Sequence, residues 1–450
     1  MSGRLCLPPD VAAVLSRLHG AGFAAYVVGG CVRDSLRGKT PADWDVTTAA
    51  LPEQVLALFA DHRTVAVGQR HGTIGVLTDE RLVEITTFRV ESGYSDSRRP
   101  DAVRFVTDVT DDLARRDFTV NAMAYNEEEG LIDPFGGKAD LAARRLRCVG
   151  EAKVRFTEDA LRILRGLRFA SVLGFDIEET TASALHETGA LLRNIAVERV
   201  AAELSRLLCG NNAFSVLRDF RDILAIVLPE VAPMFDFDQC NPHHIYDVYL
   251  HTLHALAVSP ADPIVRWAVL LHDCGKPHSF TVDEDGVGHF KGHAEIGATL
   301  AEQALRRLRL DNDTIYNVVE LVKYHDRPIL PTAPAVKRVL NRIGEEQFRR
   351  LIEVKRADNA THAPETDTRT ADLLKVEQVL EEVLRQAACF SLKDLAVKGG
   401  DITSVGVPQG PIVGKILQRL LEDVMDSRCE NQREALLTRV DAIRNEVESS

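Results

Sequence analysis

The sequence predicts an α+β chain: a small mixed-sheet head (residues 1–150), an all-helical neck (151–230), a helical histidine-rich domain (231–385) and a helical tail (386–450). Three observations predict it. Strand and helix signals alternate up to about Gly150. Helical spacing of apolar residues takes over beyond it, and the breakers Gly174, Pro229, Pro233 and Gly399-Gly400 fall between the helical stretches. At 450 residues, 45% hydrophobic and 27% charged, the chain has the length for several cores of ordinary globular composition.

In the head, Asp10–His19 reads as a helix and Tyr26–Val28 as a strand that breaks into Gly29-Gly30. Further strands are expected at Gly72–Leu77, Leu82–Thr87 and Ala102–Val106. The segment Arg89–Pro100 is polar, carries Ser92, Gly93, Ser95 and Ser97, and is expected to be a mobile loop. In the neck, Val154–Val172 has helical spacing and is ended by Gly174; Thr180–Leu208 reads as further helices. A second helical block spans about Phe235 to Leu384, and the tail, from Phe390, ends in amphipathic helices.

Composition excludes some classes. No run of eighteen apolar residues exists, so no membrane span or membrane partner is expected. The N-terminus lacks an apolar signal region, and the eight cysteines include no CxxC pair, which reads as reduced thiols in a cytoplasmic protein. The net charge of −13 argues, taken whole, against a nucleic-acid partner. Acidic residues, however, gather in the C-terminal half (Glu377, Glu381, Glu382, Glu422, Asp423). Arginines gather in the first half: Arg98-Arg99, Arg115-Arg116, Arg144-Arg145, Arg147, Arg162, Arg165 and Arg168. Local field, not net charge, decides whether RNA binds.

The stretch Tyr26–Val46 carries the chemistry most directly. Glycines have no side chain to keep a phosphate away from the backbone, and they accept positive φ. Asp43 and Asp45 stand at i and i+2, so on a strand both carboxylates point to one face. Two carboxylates facing a phosphate-binding turn are what Mg²⁺-dependent phosphoryl or nucleotidyl transfer requires. Glu84 is a candidate third carboxylate. Next comes Arg115-Arg116-Asp117, with Asn121 one helical turn later. Guanidinium forks suit phosphates, and a carboxylate can accept hydrogen bonds from both hydroxyls of a ribose. Within Glu158-Asp159-Ala160-Leu161-Arg162, Asp159 and Arg162 are i, i+3 neighbours on a helix. Such an acceptor–donor pair can imitate a Watson–Crick edge, though by itself it is more often a surface salt bridge. Arg165 and Arg168 continue the same face.

These motifs in combination resemble those of class II tRNA nucleotidyltransferases, which share a superfamily with bacterial poly(A) polymerases. The resemblance covers nearly the whole chain. It implies template-independent addition of CCA to tRNA 3′ ends from CTP and ATP. Asp43 and Asp45 would hold Mg²⁺ and activate the primer 3′-hydroxyl. Gly29, Gly30, Arg33 and Arg116 would cradle the triphosphate. Asp117, with Asn121, would take the ribose, and Asp159 with Arg162 the base. Arg165 and Arg168 would reach the triphosphate or the primer backbone. The Arg89–Pro100 loop is associated in the family with adding the terminal A, and Glu198-Arg199 with Glu203 resembles its next helical motif, a structural support. A poly(A) polymerase, or an A-adding enzyme that needs a CC-adding partner, would share this head.

The histidine block adds a second constellation: His251, His272-Asp273, His293, His325 and Asp358, each in a helix-like context. Imidazole and carboxylate ligands suit Mg²⁺, Mn²⁺, Ni²⁺ or Fe²⁺, and Cys274, with no second thiol near it, argues against a cysteine-built zinc site. Leu270–Pro277 (LLHDCGKP) resembles the HD phosphohydrolase signature. That resemblance implies one metal on His251, His272, Asp273 and Asp358, a second supplied by His293 and His325, and a phosphate contact from Lys276. The implied chemistry is hydrolysis of phosphate esters, such as 2′,3′-cyclic ends that block addition. An alternative of a different class is an HD phosphohydrolase whose head only binds RNA. His243, His244, His254, His278 and His289 have no assigned role.

Overall fold

A computed structural model of the chain describes residues 5–66, 68–92, 102–241, 245–361, 368–386 and 389–448. The chain forms two compact units, Met1–Pro229 and Glu230–Ser450.

The first unit begins with α1 (Pro9–Gly20), whose buried Val11, Val14, Leu15 and Leu18 form an i, i+3, i+4, i+7 stripe. The elements that follow are β1 (Ala25–Val28), α2 (Gly30–Leu36), β2 (Asp45–Thr48), α3 (Pro52–Leu58), β3 (Arg63–Val65), β4 (Thr73–Leu77) and β5 (Leu82–Thr87). A separate hairpin pairs β6 (Arg89–Ser92) with β7 (Ala102–Phe105). Then come α4 (Val109–Ala114), β8 (Ala124–Asn126), β9 (Gly130–Ile132) and α5 (Gly137–Ala142). Seven strands make one sheet in the order β3-β4-β5-β2-β1-β8-β9; β2 and β5 run parallel and the other pairs antiparallel. This is the mixed sheet the sequence predicts. Its β1 strand is buried at every position, so it reads as an unbroken apolar run rather than an alternation.

The helical remainder of this unit comprises α6 (Ala152–Glu158), α7 (Leu161–Leu173), α8 (Glu179–Thr188), α9 (Val197–Leu208), α10 (Ala213–Asp219) and α11 (Arg221–Val227). The helix expected over Val154–Val172 is broken at Asp159, whose backbone is extended (φ −134°, ψ 100°). Its carboxylate accepts the Leu161 N–H at 3.1 Å, so it serves a first-turn donor of α7 instead of continuing α6. Gly174, at φ 69°, closes α7 in the left-handed conformation that favours glycine.

The second unit holds α12 (Val248–Val258), α13 (Pro263–Leu271), α14 (Lys276–Ser279), α15 (His293–Arg307), α16 (Asn312–Tyr324) and α17 (Ala333–Asn359). It continues with α18 (Thr368–Arg385), α19 (Gly399–Ser404), α20 (Pro411–Met425) and α21 (Arg433–Glu448). Gly344, at φ 75°, kinks α17. Helix α15 packs on α16, α13 on α16 and α17, and α12 on α17. A cluster including Leu395, Ile402, Leu420 and Val440 is buried in the last helices. Among the described residues no helix is long and apolar enough to cross a membrane. Among the described residues no disulfide joins any of the eight cysteines.

Candidate active site and metal centre

The turn after β1 sets the first site. Gly29 has φ 82° and ψ −127°, and a Cβ there would stand 2.9 Å from Arg116 Nη1. The positive φ is what requires glycine, since the Arg116 tip could shift from a Cβ; Gly30 has ordinary helical geometry at the start of α2. From α2, Arg33 grips Asp34 with Nε and Nη2 (2.9 and 2.8 Å) and donates through Nη1 to Asn121 Oδ1 at 2.7 Å. Asp45 opens β2, and Asp43 lies in the extended chain just before it. Trp44 between them is buried, and the alternation turns both carboxylates to one side. Desolvation by the walls of the site raises the Asp45 pKa, and the carboxylates of Glu84 and Asp43 add to it against the opposing charge of Arg116. Glu84 sits opposite Asp45 in the β2–β5 register.

A cavity of about 620 Å³ gathers every residue expected in this site except Glu84: Gly29, Gly30, Arg33, Asp43, Asp45, Arg116, Asp117, Asn121, Asp159, Arg162, Arg165 and Arg168. It adds Arg89, Glu91, Arg115 and Phe169, which motif reasoning did not assign; Glu84 does not line it. Helix α4 ends before Arg115, and Thr119–Asn121 is a single 3₁₀ turn, so the RRD segment is not helical. Asn121 nevertheless reaches Asp117, donating to Oδ1 at 3.1 Å beside the Phe118 N–H at 2.8 Å. Arg165 occupies Oδ2, with Nε and Nη2 at 2.8 and 2.7 Å.

Burial opposes ionisation of Asp117, but Arg165 and the Asn121 hydrogen bond prevail and hold its pKa at about 2. Because the folded pKa lies below the ordinary aspartate value of 3.8, this stabilisation is complete above that value and lost as pH falls toward about 2. Asp117→Asn is expected to lower stability near neutral pH by about 2 kcal/mol and to flatten the acid limb, read by urea unfolding across pH. An unaltered acid limb would contradict this linkage.

Asp159 and Arg162 both line the cavity, and the Arg162 N–H donates to the Asp159 carbonyl at 3.0 Å, but their side chains have different partners. Arg162 Nη1 donates to Glu158 Oε2 at 2.9 Å and to Arg155 O at 3.2 Å, and Nη2 donates to Arg115 O at 2.9 Å. Asp159 Oδ2 lies 3.8 Å from Arg199. The expectation that the two share one helix is corrected by the break at Asp159: Arg162 is on α7, and Asp159 lies in the extended link before it.

Asp112, fully buried, accepts from Arg115 (2.9 and 2.8 Å), lies 3.5 Å from Arg116 and accepts from Thr47 of β2 at 3.2 Å. Burial opposes its ionisation, and Arg115 and Arg116 overcome that, keeping the carboxyl below its ordinary range. Its i+3 and i+4 spacing to the two arginines was a readable signal. At the base of the expected loop, Glu91 holds Arg89 at 2.9 Å and Arg115 at 3.2 Å. Residues 93–101, with Gly93, Ser95, Ser97 and Arg98-Arg99, lie outside the described residues, as do His243 and His244. Arg145 and Arg147 pair with Asp140 and do not line the cavity.

In the second unit the structure brings together His251 (α12), His272 and Asp273 (after α13), His293 (start of α15), His325 (end of α16) and Asp358 (end of α17). Asp273 is shared by two buried groups. Its Oδ2 lies 3.5 Å from His251 Nε2 and 3.2 Å from His272 Nε2; its Oδ1 lies 3.5 Å from His293 Nε2 and 3.7 Å from His325 Nε2. Asp358 Oδ1 is 2.9 Å from His251 Nε2 and 3.7 Å from His272 Nε2.

Each ring is oriented through its other nitrogen. Nδ1 of His272, His293 and His325 donates to the carbonyls of Val269, Phe290 and Val322 at 2.7, 2.8 and 2.6 Å. His251 Nδ1 meets Thr361 Oγ1 at 2.8 Å. A carbonyl only accepts, so in His272, His293 and His325 the proton of the neutral ring sits on Nδ1, and the Nε2 atoms are left to accept or to ligate. Two of them, on His293 and His325, face each other at 3.2 Å, and His272 Nε2 is buried without a partner of hydrogen-bonding geometry. This arrangement fits divalent cations held by His251, His272, Asp273 and Asp358 and by Asp273, His293 and His325. Burial opposes protonation of His272, but Asp273 and Asp358 raise its pKa, and Asp273 itself is held well below the carboxylate range against burial by His272 and Lys276. Lys276, expected at a phosphate, is instead buried with Nζ 2.8 Å from both Asp273 Oδ2 and Gln239 Oε1.

Comparison with known proteins bears on the whole chain. A family model for the poly A polymerase head domain matches residues 25–147. One described as a probable RNA and SrmB-binding site of polymerase A matches 174–235, and one for tRNA nucleotidyltransferase domain 2 matches 290–440. The chain is 33% identical over 434 residues to a CCA-adding enzyme of Limosilactobacillus reuteri, covering 96% of each. It is 36% identical over 426 residues to that of Latilactobacillus sakei, covering 94% of this chain and 95% of the relative. The fold matches the crystal structure of the Bacillus stearothermophilus CCA-adding enzyme in complex with CTP, with a TM-score of 0.75 and 29% identity over 98% of this chain and 99% of that one. With a head of this sheet and cavity, and end-to-end likeness to such relatives, the chain belongs to the family of CCA-adding enzymes, the class II tRNA nucleotidyltransferases.

Proposed function

We propose that the head adds CCA to tRNA 3′ ends from CTP and ATP without a nucleic-acid template. The observation that carries this reading is the convergence of Asp43 and Asp45 with Arg33, Arg116, Arg165 and Arg168 on one cavity. Relatives at 33% and 36% identity are CCA-adding enzymes, and the similar Bacillus stearothermophilus enzyme binds CTP. Asp43 and Asp45 are the residues that would hold Mg²⁺, which when bound supplies charge neutralisation at the triphosphate and an acidified primer hydroxyl. Gly29, Gly30, Arg33 and Arg116 cradle the triphosphate, Asp117 with Asn121 takes the ribose, and Arg165 and Arg168 add charge beside the phosphates. Asp159 and Arg162 read the base, for which Arg162 must leave Glu158. The test is extension of tRNA lacking its CCA end with both nucleotides present: growth by three residues that then stops supports the reading, whereas a long A tail supports a poly(A) polymerase.

Arg162→Ala is expected to reduce discrimination between CTP and ATP at each step by about tenfold or more, because a donor to the base edge is lost. Competition of the two nucleotides at single-nucleotide resolution measures it, and unchanged selectivity would remove Arg162 from base reading.

A second reading concerns the other unit. The convergence of four imidazoles on Asp273 favours a metal-dependent phosphohydrolase of the HD type, acting on phosphate esters such as 2′,3′-cyclic ends. Its metal is Mg²⁺, Mn²⁺, Ni²⁺ or Fe²⁺ by ligand type.

A further inference from the structure

Among the described residues that line the head cavity, Phe169 is the one hydrocarbon side chain. It projects from α7 and packs edge-on against Phe118, with ring centroids 5.9 Å apart and planes at 77°. Three guanidinium carbons surround its centroid: Arg168 at 3.9 Å, Arg165 at 5.3 Å and Arg33 at 5.4 Å. All are within the range in which a cation is drawn to the negative face of an aromatic ring. Arg33 comes from α2 beside the glycine turn and the other two from α7, so one ring meets cations from two parts of the site.

Each guanidinium also has its own carboxylate: Asp34 for Arg33, Asp117 for Arg165 and Glu203 for Arg168. An ion pair fixes one edge of an arginine but leaves its long stem free to swing. Three like charges crowded on one wall also repel, and the ring quadrupole offsets part of that repulsion. At 6% exposure, Phe169 has little surface left on which a nucleobase could stack. Its contacts are with the arginines and Phe118.

We propose that Phe169 is a positioning residue for the polyphosphate, its ring holding Arg33, Arg165 and Arg168 as one preformed cationic wall. The role rests on the reading of the head as a nucleotidyl-transfer site. The test replaces Phe169 by 4-fluoro-, 3,5-difluoro- and 3,4,5-trifluorophenylalanine, which drain electron density from the ring with little change of shape, and by leucine (Phe169→Leu). Affinities for CTP and for inorganic pyrophosphate are measured on the full chain, with the single-turnover rate at saturating CTP. Both affinities are expected to fall stepwise with fluorine number and about tenfold in Phe169→Leu, while the saturated rate stays within about threefold. A packing role alone would leave the fluorinated series flat, and affinities indifferent to ring electron density would overturn the proposal. So would a loss confined to the saturated rate. If the unaltered chain bound neither CTP nor pyrophosphate, the reading of the head itself would fail; binding there that ignores the ring rejects only the role of Phe169.

Discussion

Asp43→Ala and Asp45→Ala are each expected to abolish nucleotide addition, a loss on the order of 10³-fold or more, while any phosphate release by the second unit persists. Both carboxylates line the cavity on which Arg33, Arg116, Arg165 and Arg168 converge, and with either gone the cation site loses half of its paired charge. The loss should be in the saturated rate, since the glycine turn and the arginines, as proposed, would still bind the triphosphate. The raised pKa of Asp45 gives the pH dependence its sign. Protonation removes the charge a cation needs, so addition by the unaltered chain should decline on the acid side at a pH above that of an ordinary carboxylate, and excess Mg²⁺ should shift the decline to lower pH. Single-turnover extension with CTP, at several pH values and Mg²⁺ concentrations, measures both effects. A folded variant that retains addition, or one that loses addition and phosphate release together, would contradict two separate sites.

His272→Ala combined with Asp273→Ala is expected to bring bound metal and metal-dependent phosphate release to background and to spare addition. Asp273 is the carboxylate that both histidine groups share, so its removal dismantles the two together. The same change leaves the buried Lys276 cation without its ion pair, which by itself destabilises the unit by about 3 kcal/mol or more. His293→Ala is the control that separates the causes, because it removes one ligand and leaves that ion pair intact. Metal content by elemental analysis, phosphate release from 2′,3′-cyclic AMP and circular dichroism are read side by side. Phosphate release that survives in the double variant would remove the second unit from phosphate chemistry.

Much of the head was legible because its signals are local. The apolar run Tyr26–Val28, the Gly29 turn and the i, i+2 aspartates follow from chain geometry alone; the run is a buried strand, and the glycines and aspartates line one cavity. Strands β3, β8 and β9, three residues each, are too short to show alternation and did not stand out. The break at Asp159 escaped because the apolar spacing runs across it, whereas the carboxylate that diverts the backbone acts through a single hydrogen bond. The positions of Arg162 and Lys276 were illegible for another reason. Motif reasoning assigns a charged group to a ligand, but in the fold each has protein partners: Glu158 and two backbone carbonyls for Arg162, Asp273 and Gln239 for Lys276. The histidine series was visible as residue types, but the sharing of Asp273 between two groups depends on how α12, α13, α15, α16 and α17 pack.

The central claim is that one protein pocket, without a template, selects C twice, then A once, and stops. The measurement that tests it most directly is extension of tRNAs ending before CCA, after C and after CC, each given CTP alone, ATP alone or both, resolved to single nucleotides. The claim predicts two, one and no additions with CTP alone, one A on the CC end with ATP, and arrest at CCA with both. An A tail that grows past that point, incorporation of A only, or no incorporation at any end would contradict it.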